Sequence, residues 1–253
     1  MNELALFAGA GGGVLGGILC GFKTICYVEW EEYCIEIIKA RIKDGIYEDA
    51  PIWNDVQTFD GKPWSGSVDI VTGGFPCQPF SQAGKRLGED DPKNMWPSTV
   101  RIIKEVAPEW CLLENVASLL GPYFGQVITD LSEIGYDIWW GCLSASSVGA
   151  KQIRERLWIV AHRNSCSNSP EKRKIIKIRQ TKNRQKRKEM GNQSKTGCSI
   201  ENKRYNWWRS EPTLGRMVDG VAYGDNRIKA IGNGQVPAVV KEIWRIIGNG
   251  GKR

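Results

Sequence analysis

The chain has 253 residues, 41% of them hydrophobic, with a net charge of +7 at pH 7. This is enough for one large domain, or one domain with a small companion. No apolar stretch reaches the ~20 residues that span a bilayer, and no charged leader precedes the run at 14–22, so neither an anchor nor a signal peptide is expected. A single histidine, His162, and eight cysteines without a CxxC pair exclude multi-histidine metal sites and disfavour zinc-knuckle and thioredoxin chemistry. The chain is expected to be cytoplasmic, with reduced thiols.

The elements alternate from the start. Leu4 to Ala8 reads as a strand that runs into a glycine loop, Gly9 to Gly13, and an apolar helix over 14–20. A strand over 24–29 and a helix over 31–43 follow, the helix carrying Ile35, Ile38 and Ile42 on one face. A short piece ends near Asp55-Val56. Then come a strand over 68–72, a helix near 98–106 and a strand over 109–114. A helix over 125–134, strands over 136–143 and 157–161, and a late helix over 237–247 complete the series. Strands alternating with helices predict an α/β fold, a mostly parallel sheet covered on both faces.

Between His162 and Arg209 this pattern fails. Residues 163–209 hold 15 Lys/Arg against 3 Asp/Glu, whereas the rest of the chain holds 20 against 25. The whole positive excess sits in one polar insert, with Trp207-Trp208 at its end. That points to a polyanion-facing surface; a solvated loop is the plainer alternative. The expected division is a main domain of 1–162 and 211–253 with a small basic recognition region at 163–210.

Candidate site residues gather at predicted strand ends, where ligands bind in open α/β sheets. In Gly73-Gly74-Phe75-Pro76-Cys77-Gln78-Pro79, two prolines stiffen the backbone around a cysteine that follows a strand, as suits a nucleophile. Gly11, Gly13 and Gly16 satisfy G-x-G-x-x-G, with Glu29 ending the next strand; this suits an adenosine-containing ligand without separating NAD from others. Trp30 offers a flat face for an adenine or packs in the core. Asp55 could accept from an adenine amine, with Val56 beside it, and Glu114 ends the strand over 109–114. Read as extended chain, Arg154 and Arg156 share one face, two guanidinium forks suited to phosphate or a carbonyl oxygen, or else a solvated edge. Gly232 to Pro237 is a glycine-rich turn before the last helix. Asn233 lies in it.

These blocks resemble the DNA (cytosine-5) methyltransferases, in their compact phage or bacterial form. The resemblance spans 4–162 and 211–247. It rests on Gly-Phe-Pro-Cys-Gln at 74–78, Phe7-Ala8-Gly9-Ala10-Gly11-Gly12, Glu29-Trp30, Asp55, Glu114-Asn115-Val116, Gln152-x-Arg154-x-Arg156 and Gly232-Asn233-Gly234-Gln235-Val236-Pro237. Ala5 departs from the pattern, which has an acid there, and the block near Arg216 to Ala222 is a weak match.

The resemblance implies a Rossmann-like fold that uses S-adenosyl-L-methionine to methylate C5 of a specific cytosine in double-stranded DNA. It assigns catalysis to Cys77, Glu114, Arg154 and Arg156. Phe7, Ala8, Gly9, Gly11, Gly12, Glu29, Trp30, Asp55, Val56, Pro76 and Asn233 would hold the cofactor, and no metal is needed. The protein is expected to act as a monomer, with or without a restriction endonuclease partner. The alternatives are a cytosine-5 methyltransferase acting on RNA and a non-catalytic DNA-binding relative.

Overall fold

The fold is built on one twisted sheet. The computed structural model describes residues 1–76, 94–121, 123–163, 175–177 and 224–250. Cys77 and nearly all of the basic insert, including Trp207 and Trp208, lie outside the described residues. Strands β1 (Asn2–Leu6), β2 (Lys23–Val28), β3 (Ile52–Trp53), β4 (Ile70–Gly73) and β5 (Trp110–Val116) are joined through helices α1 (Gly12–Ile18), α2 (Glu32–Lys43) and α3 (Trp96–Val106). Helix α4 (Tyr123–Glu133), strands β6 (Tyr136–Ser144), β7 (Glu155–Arg163) and β8 (Ile175–Lys177), and helices α5 (Gly224–Asn233) and α6 (Pro237–Gly250) follow.

The eight described strands lie in the order β3-β2-β1-β4-β5-β7-β6-β8. All pairings are parallel except those of β7 with β5 and β6. The expected α/β sheet is therefore present, with one reversed strand. Because β7 runs backwards, its first residues arrive beside the carboxyl end of β5, with Val116 opposite Arg156. β8, from within the basic segment, adds a strand to the sheet beside β6.

Alternation sorts the side chains between two layers. Leu4, Leu6, Val71, Leu113, Leu157 and Ile159 join Ile102, Ile103, Val127 and Leu131 under α3 and α4. On the other face Ile70, Leu112, Trp158 and Val160 meet Val239, Val240 and Ile243 of α6, and Ala5, Val14, Tyr27 and Ile38 form a neighbouring cluster with α1 and α2. Each large side chain so buried contributes about 1.5–3 kcal/mol.

Local chemistry sets the helix ends. Proline lies in the first turn of α3, where its missing N–H costs nothing. Ala107, at φ 52, closes that helix with its N–H on the Ile103 carbonyl, and Pro108 cannot continue it. One element was not anticipated: α5, which occupies the stretch before the glycine-rich turn.

Among the described residues no helix is long and apolar enough to cross a membrane. His162 is structural. Its ring lies 4.1 Å from that of Trp110, and its Nε2 is 3.4 Å from Glu109 Oε1.

Candidate active site

The loop after β1 turns sharply: Phe7 sits at φ 51 and Gly9 at φ 57. Glu29, at the end of β2, fixes that turn. Its Oε2 accepts from Gly9 N at 2.6 Å and its Oε1 from Glu31 N at 2.8 Å. Burial pushes the Glu29 carboxyl above its ordinary range, and these backbone donors pull it back. Ala8 N donates to Val28 O, so the loop lies against the end of β2. Trp30 is 77% exposed and does not pack in the core; its flat face is free for a ligand at the strand ends.

Not every glycine of the first loop faces a ligand. Gly11, at φ 85, lies under Tyr47, whose hydroxyl donates to the Gly11 carbonyl at 2.9 Å. Gly12 and Gly13 lie against Gln235, and Gly16 against Val240. Of the three glycines in the G-x-G-x-x-G spacing, Gly16 lets α6 approach α1, Gly13 meets the turn before α6, and Gly11 meets Tyr47.

Asp55 lies two residues past β3. Its Oδ1 accepts from Gln57 N at 2.8 Å, and Val56 beside it is buried. A residue that sequence reasoning missed holds this loop. Arg101 of α3 donates to the carbonyls of Phe59, Val56 and Gln57 at 2.8–3.1 Å, and its own partner Glu105 accepts from Gly61 N. A lone arginine on a helix gives no sequence signal of such a role.

The segment that leads to Cys77 is anchored on both sides. Asn115 Nδ2 donates to Phe75 O at 3.0 Å, and the Phe75 ring lies 5.1 Å from that of Trp96. On the far side Asn94 Nδ2 donates to the Tyr123 hydroxyl at 2.9 Å. Pro76, the last described residue before the cysteine, follows this anchor directly. Asn115, in the strand block, had no role in the sequence reading beyond the motif.

Glu114 is the buried acid of the site, 7% exposed at the end of β5. Its Oε1 lies 3.0 Å from Arg156 Nε, and its Oε2 lies against Gly74, where an added Cβ would sit 2.9 Å away. A side chain at 74 would have to displace the carboxyl of Glu114. Burial pushes the Glu114 carboxyl up to about 7, against the pull of Arg156 and then Arg154. A carboxyl so placed is available in its neutral form near neutral pH.

Arg154 precedes β7 at φ 25, so the chain there is not extended, and the two arginines reach one cavity by different routes. Arg154 Nη1 and Nη2 donate to Gly232 O and Gly234 O at 2.7 and 2.5 Å. Arg154 therefore clamps the end of α5 and the turn that follows it, while Arg156 faces Glu114. Asn233, the last residue of α5, is exposed. The structure brings together Glu114, Arg156, Arg154, Gly74 and residues 232–235; Gly9, Glu29 and Trp30 form a second group at the ends of β1 and β2.

Comparison with known proteins gives this arrangement a family context. The family model for C-5 cytosine-specific DNA methylases matches residues 1–245. Type II methyltransferase M.NgoMIV of Neisseria gonorrhoeae is 35% identical over 175 residues, covering 66% of this chain and 53% of that protein. M.Eco47II of Escherichia coli is also 35% identical over 175 residues, covering 65% and 40%. The chain thus spans about half the length, or less, of these relatives. A putative DNA modification methyltransferase encoded within an E. coli prophage superposes with a TM-score of 0.54 at 26% identity, covering 68% of this chain and 49% of that one. Spodoptera frugiperda DNMT2 gives 0.55 at 25%, covering 70% and 55%.

Proposed function

The chain belongs to the C-5 cytosine-specific DNA methylase family, and from that premise we propose that it transfers a methyl group from S-adenosyl-L-methionine to C5 of a specific cytosine in double-stranded DNA. The observation that carries this reading is the buried Glu114–Arg156 pair, set beside the anchored segment that leads to Cys77.

The residues at the ends of β1 and β2 fit an adenosine-bearing cofactor. Trp30 exposes its ring, Gly9 leaves open space beyond its backbone, and Glu29 has lone pairs beyond those its two amide donors use. Phe7, Ala8, Gly9, Gly11, Gly12, Glu29, Trp30, Asp55, Val56, Pro76 and Asn233 are the proposed binding residues, Gly11 and Gly12 through their backbone alone, since the places a side chain would take face Tyr47 and Gln235. The cofactor supplies an electrophilic methyl group on a sulfonium centre.

The protein's own groups do the rest. C5 and C6 of cytosine are stacked inside a duplex, so the base must be flipped out, at a cost of a few kcal/mol. The Cys77 thiolate forms a bond to C6. Glu114 gives its proton to N3 and accepts from the exocyclic amine, so that electron density released by the sulfur reaches C5. Arg156 faces the base carbonyl, and Arg154 holds the 232–235 turn against the site. After C5 takes the methyl group, its proton leaves to a base, the C5–C6 double bond reforms, Cys77 departs as thiolate, and the N3 proton returns to Glu114. The segment 163–210 is the proposed DNA-recognition region.

Bisulfite sequencing of DNA from cells that express the protein tests this directly. Protected cytosines in one sequence context are expected, and Cys77→Ser should abolish them. Methyl transfer to RNA but not to duplex DNA would move the assignment to the RNA alternative. Absence of transfer to any cytosine, with DNA affinity intact, would leave a binding protein.

A further inference from the structure

β5 and β7 place Glu114 directly opposite Trp158. Strand alternation sends both side chains to the α6 face, where Trp158 packs with Val239 and Val240. Trp158 is 2% exposed, and its Nε1–H is buried without an acceptor. Glu114 Oε1 is buried and accepts no hydrogen bond; Arg156 Nε is 3.0 Å away as an ion pair, outside hydrogen-bond geometry.

These two atoms are complementary. The indole nitrogen can only donate, and a carboxyl oxygen can accept. A buried polar group left unpaired costs about 1–3 kcal/mol, so two of opposite sense across one strand pair require an account. Both residues line the same cavity of ≈ 10 Å³, together with Leu143, Arg154, Arg156, Val236 and Val239. That volume is about one water-sized sphere, and a polar lining is the other condition for a buried water.

We propose that this cavity seats one water molecule, which accepts from Trp158 Nε1–H and donates to Glu114 Oε1, and that Trp158 is a positioning residue for the acid. The polarity of the chain follows from its fixed end. Because the indole only donates, the water turns a hydrogen toward the carboxyl, and Oε1 is held as an acceptor. The positive charge of Arg156, with Nε 3.0 Å from Oε1, likewise disfavours a proton on that oxygen. The carboxyl proton then resides on Oε2, the oxygen against Gly74 and the segment that leads to Cys77. The inference deepens the functional reading above and rests on Glu114 being the acid of that reading. It agrees with a Glu114 carboxyl pushed up to about 7 by burial; among the described residues the charged groups acting on it are Arg156 and Arg154.

The test uses the full chain labelled with 13C and 15N, without substrate or cofactor. The Trp158 indole resonance, assigned by its loss in Trp158→Phe, should move with pH at the midpoint of the Glu114 carboxyl, followed by 13C. In Glu114→Gln that movement should vanish. A flat indole resonance while Glu114 titrates overturns the proposal. Kinetics give a second arm. Phe keeps an aromatic ring and removes the donor, and a hydrogen bond to the charged form lowers a carboxyl's pKa. Trp158→Phe should therefore move the alkaline limb of kcat upward by roughly half a pH unit, with KM for DNA changed less than about twofold. An unmoved limb, with only a lower Tm, makes Trp158 a packing residue and overturns the proposal. A titrating indole in a protein that methylates no cytosine would instead overturn the functional reading and leave the water seat standing.

Discussion

Glu114 concentrates the chemistry, and its surroundings give its variants a definite sign. Gln at 114 keeps the shape and can donate from its amide, but it cannot release a proton. Positioned proton transfer typically contributes 10²–10⁴-fold, so Glu114→Gln should lower the single-turnover rate by about that factor. Affinity for DNA should change little, since glutamine keeps the shape and can still hydrogen-bond the base. Near-wild-type turnover would refute its role. The pH profile carries a second signature. The neutral carboxyl is populated below its value of about 7 and lost above it, so kcat/KM should fall on the alkaline side with a midpoint near neutrality. The opposing limb belongs to Cys77, whose thiol needs a cationic neighbour to ionise below its ordinary ~8.5. A bell-shaped profile is expected, and Glu114→Gln should remove its alkaline limb alone.

The glycines of α1 act at the scale of whole elements. A methyl group at position 16 would lie 2.5 Å from Val240 Cβ, so α1 could not keep its distance from α6. Overpacking of this kind typically costs 1–3 kcal/mol. Gly16→Ala should therefore lower stability by about 1–3 kcal/mol in urea unfolding, and Val240→Ala in the same chain, which keeps Cβ but removes Cγ1 and Cγ2 at 2.8 and 2.9 Å, should restore part of it. If the double variant is no better than the sum of the singles, the contact is not the cause. The sequence pointed these glycines at a ligand because spacing reports the need for close approach, not what approaches. Strands β1, β2, β4 and β5 were legible because alternating apolar runs end in turn residues, and with them the strand ends that carry Glu29, Glu114 and the Cys77 segment. Helix α5 was not legible. Among its described side chains only Ala230 is buried, and it is held by contacts distant in sequence: Lys229 on Glu31, and Arg154 on Gly232 O. Arg154 was misread for a related reason. Its left-handed backbone is imposed by that clamp, and no local pattern announces it. Glu3 was equally invisible, since its partners Thr24 and Thr72 lie 21 and 69 residues away.

Charge governs the behaviour of the molecule as a whole. The 15 Lys/Arg of residues 163–209 face only 3 acids within that span, against a mildly acidic remainder. If this span neutralises phosphates, log K for DNA falls linearly with log salt, by about 0.9 per phosphate contact. Neutralising Lys172, Arg173 and Lys174 together should flatten that slope by up to about three contacts' worth, and a slope unchanged by these substitutions would remove the span from the interface. Stability responds to charge through the interior instead. Glu3 is fully buried in β1, with Thr24 and Thr72 donating to its two oxygens at 2.6 and 2.7 Å. Burial still wins and pushes it from 4.5 to about 7. Its folded pKa thus lies above its unfolded one, so the native state binds the extra proton between about 4.5 and 7. Stability is greatest below that window and is lost as pH rises through it. At 1.36 kcal/mol per pKa unit, Glu3 withdraws roughly 3 kcal/mol by pH 8. Glutamine at position 3 accepts from one threonine hydroxyl and donates to the other, without a charge to bury. Glu3→Gln should therefore leave stability near pH 4.5 almost unchanged and raise it at pH 8 by about 3 kcal/mol, read as a flatter dependence of Tm on pH. The dependence that persists in this variant should include the contribution of Glu114, which burial also pushes up to about 7, and Glu114→Gln should reduce it further. A Glu3→Gln profile parallel to the wild type would show that the carboxyl titrates alike in the folded and unfolded chain, with the two threonine hydroxyls cancelling the effect of its burial.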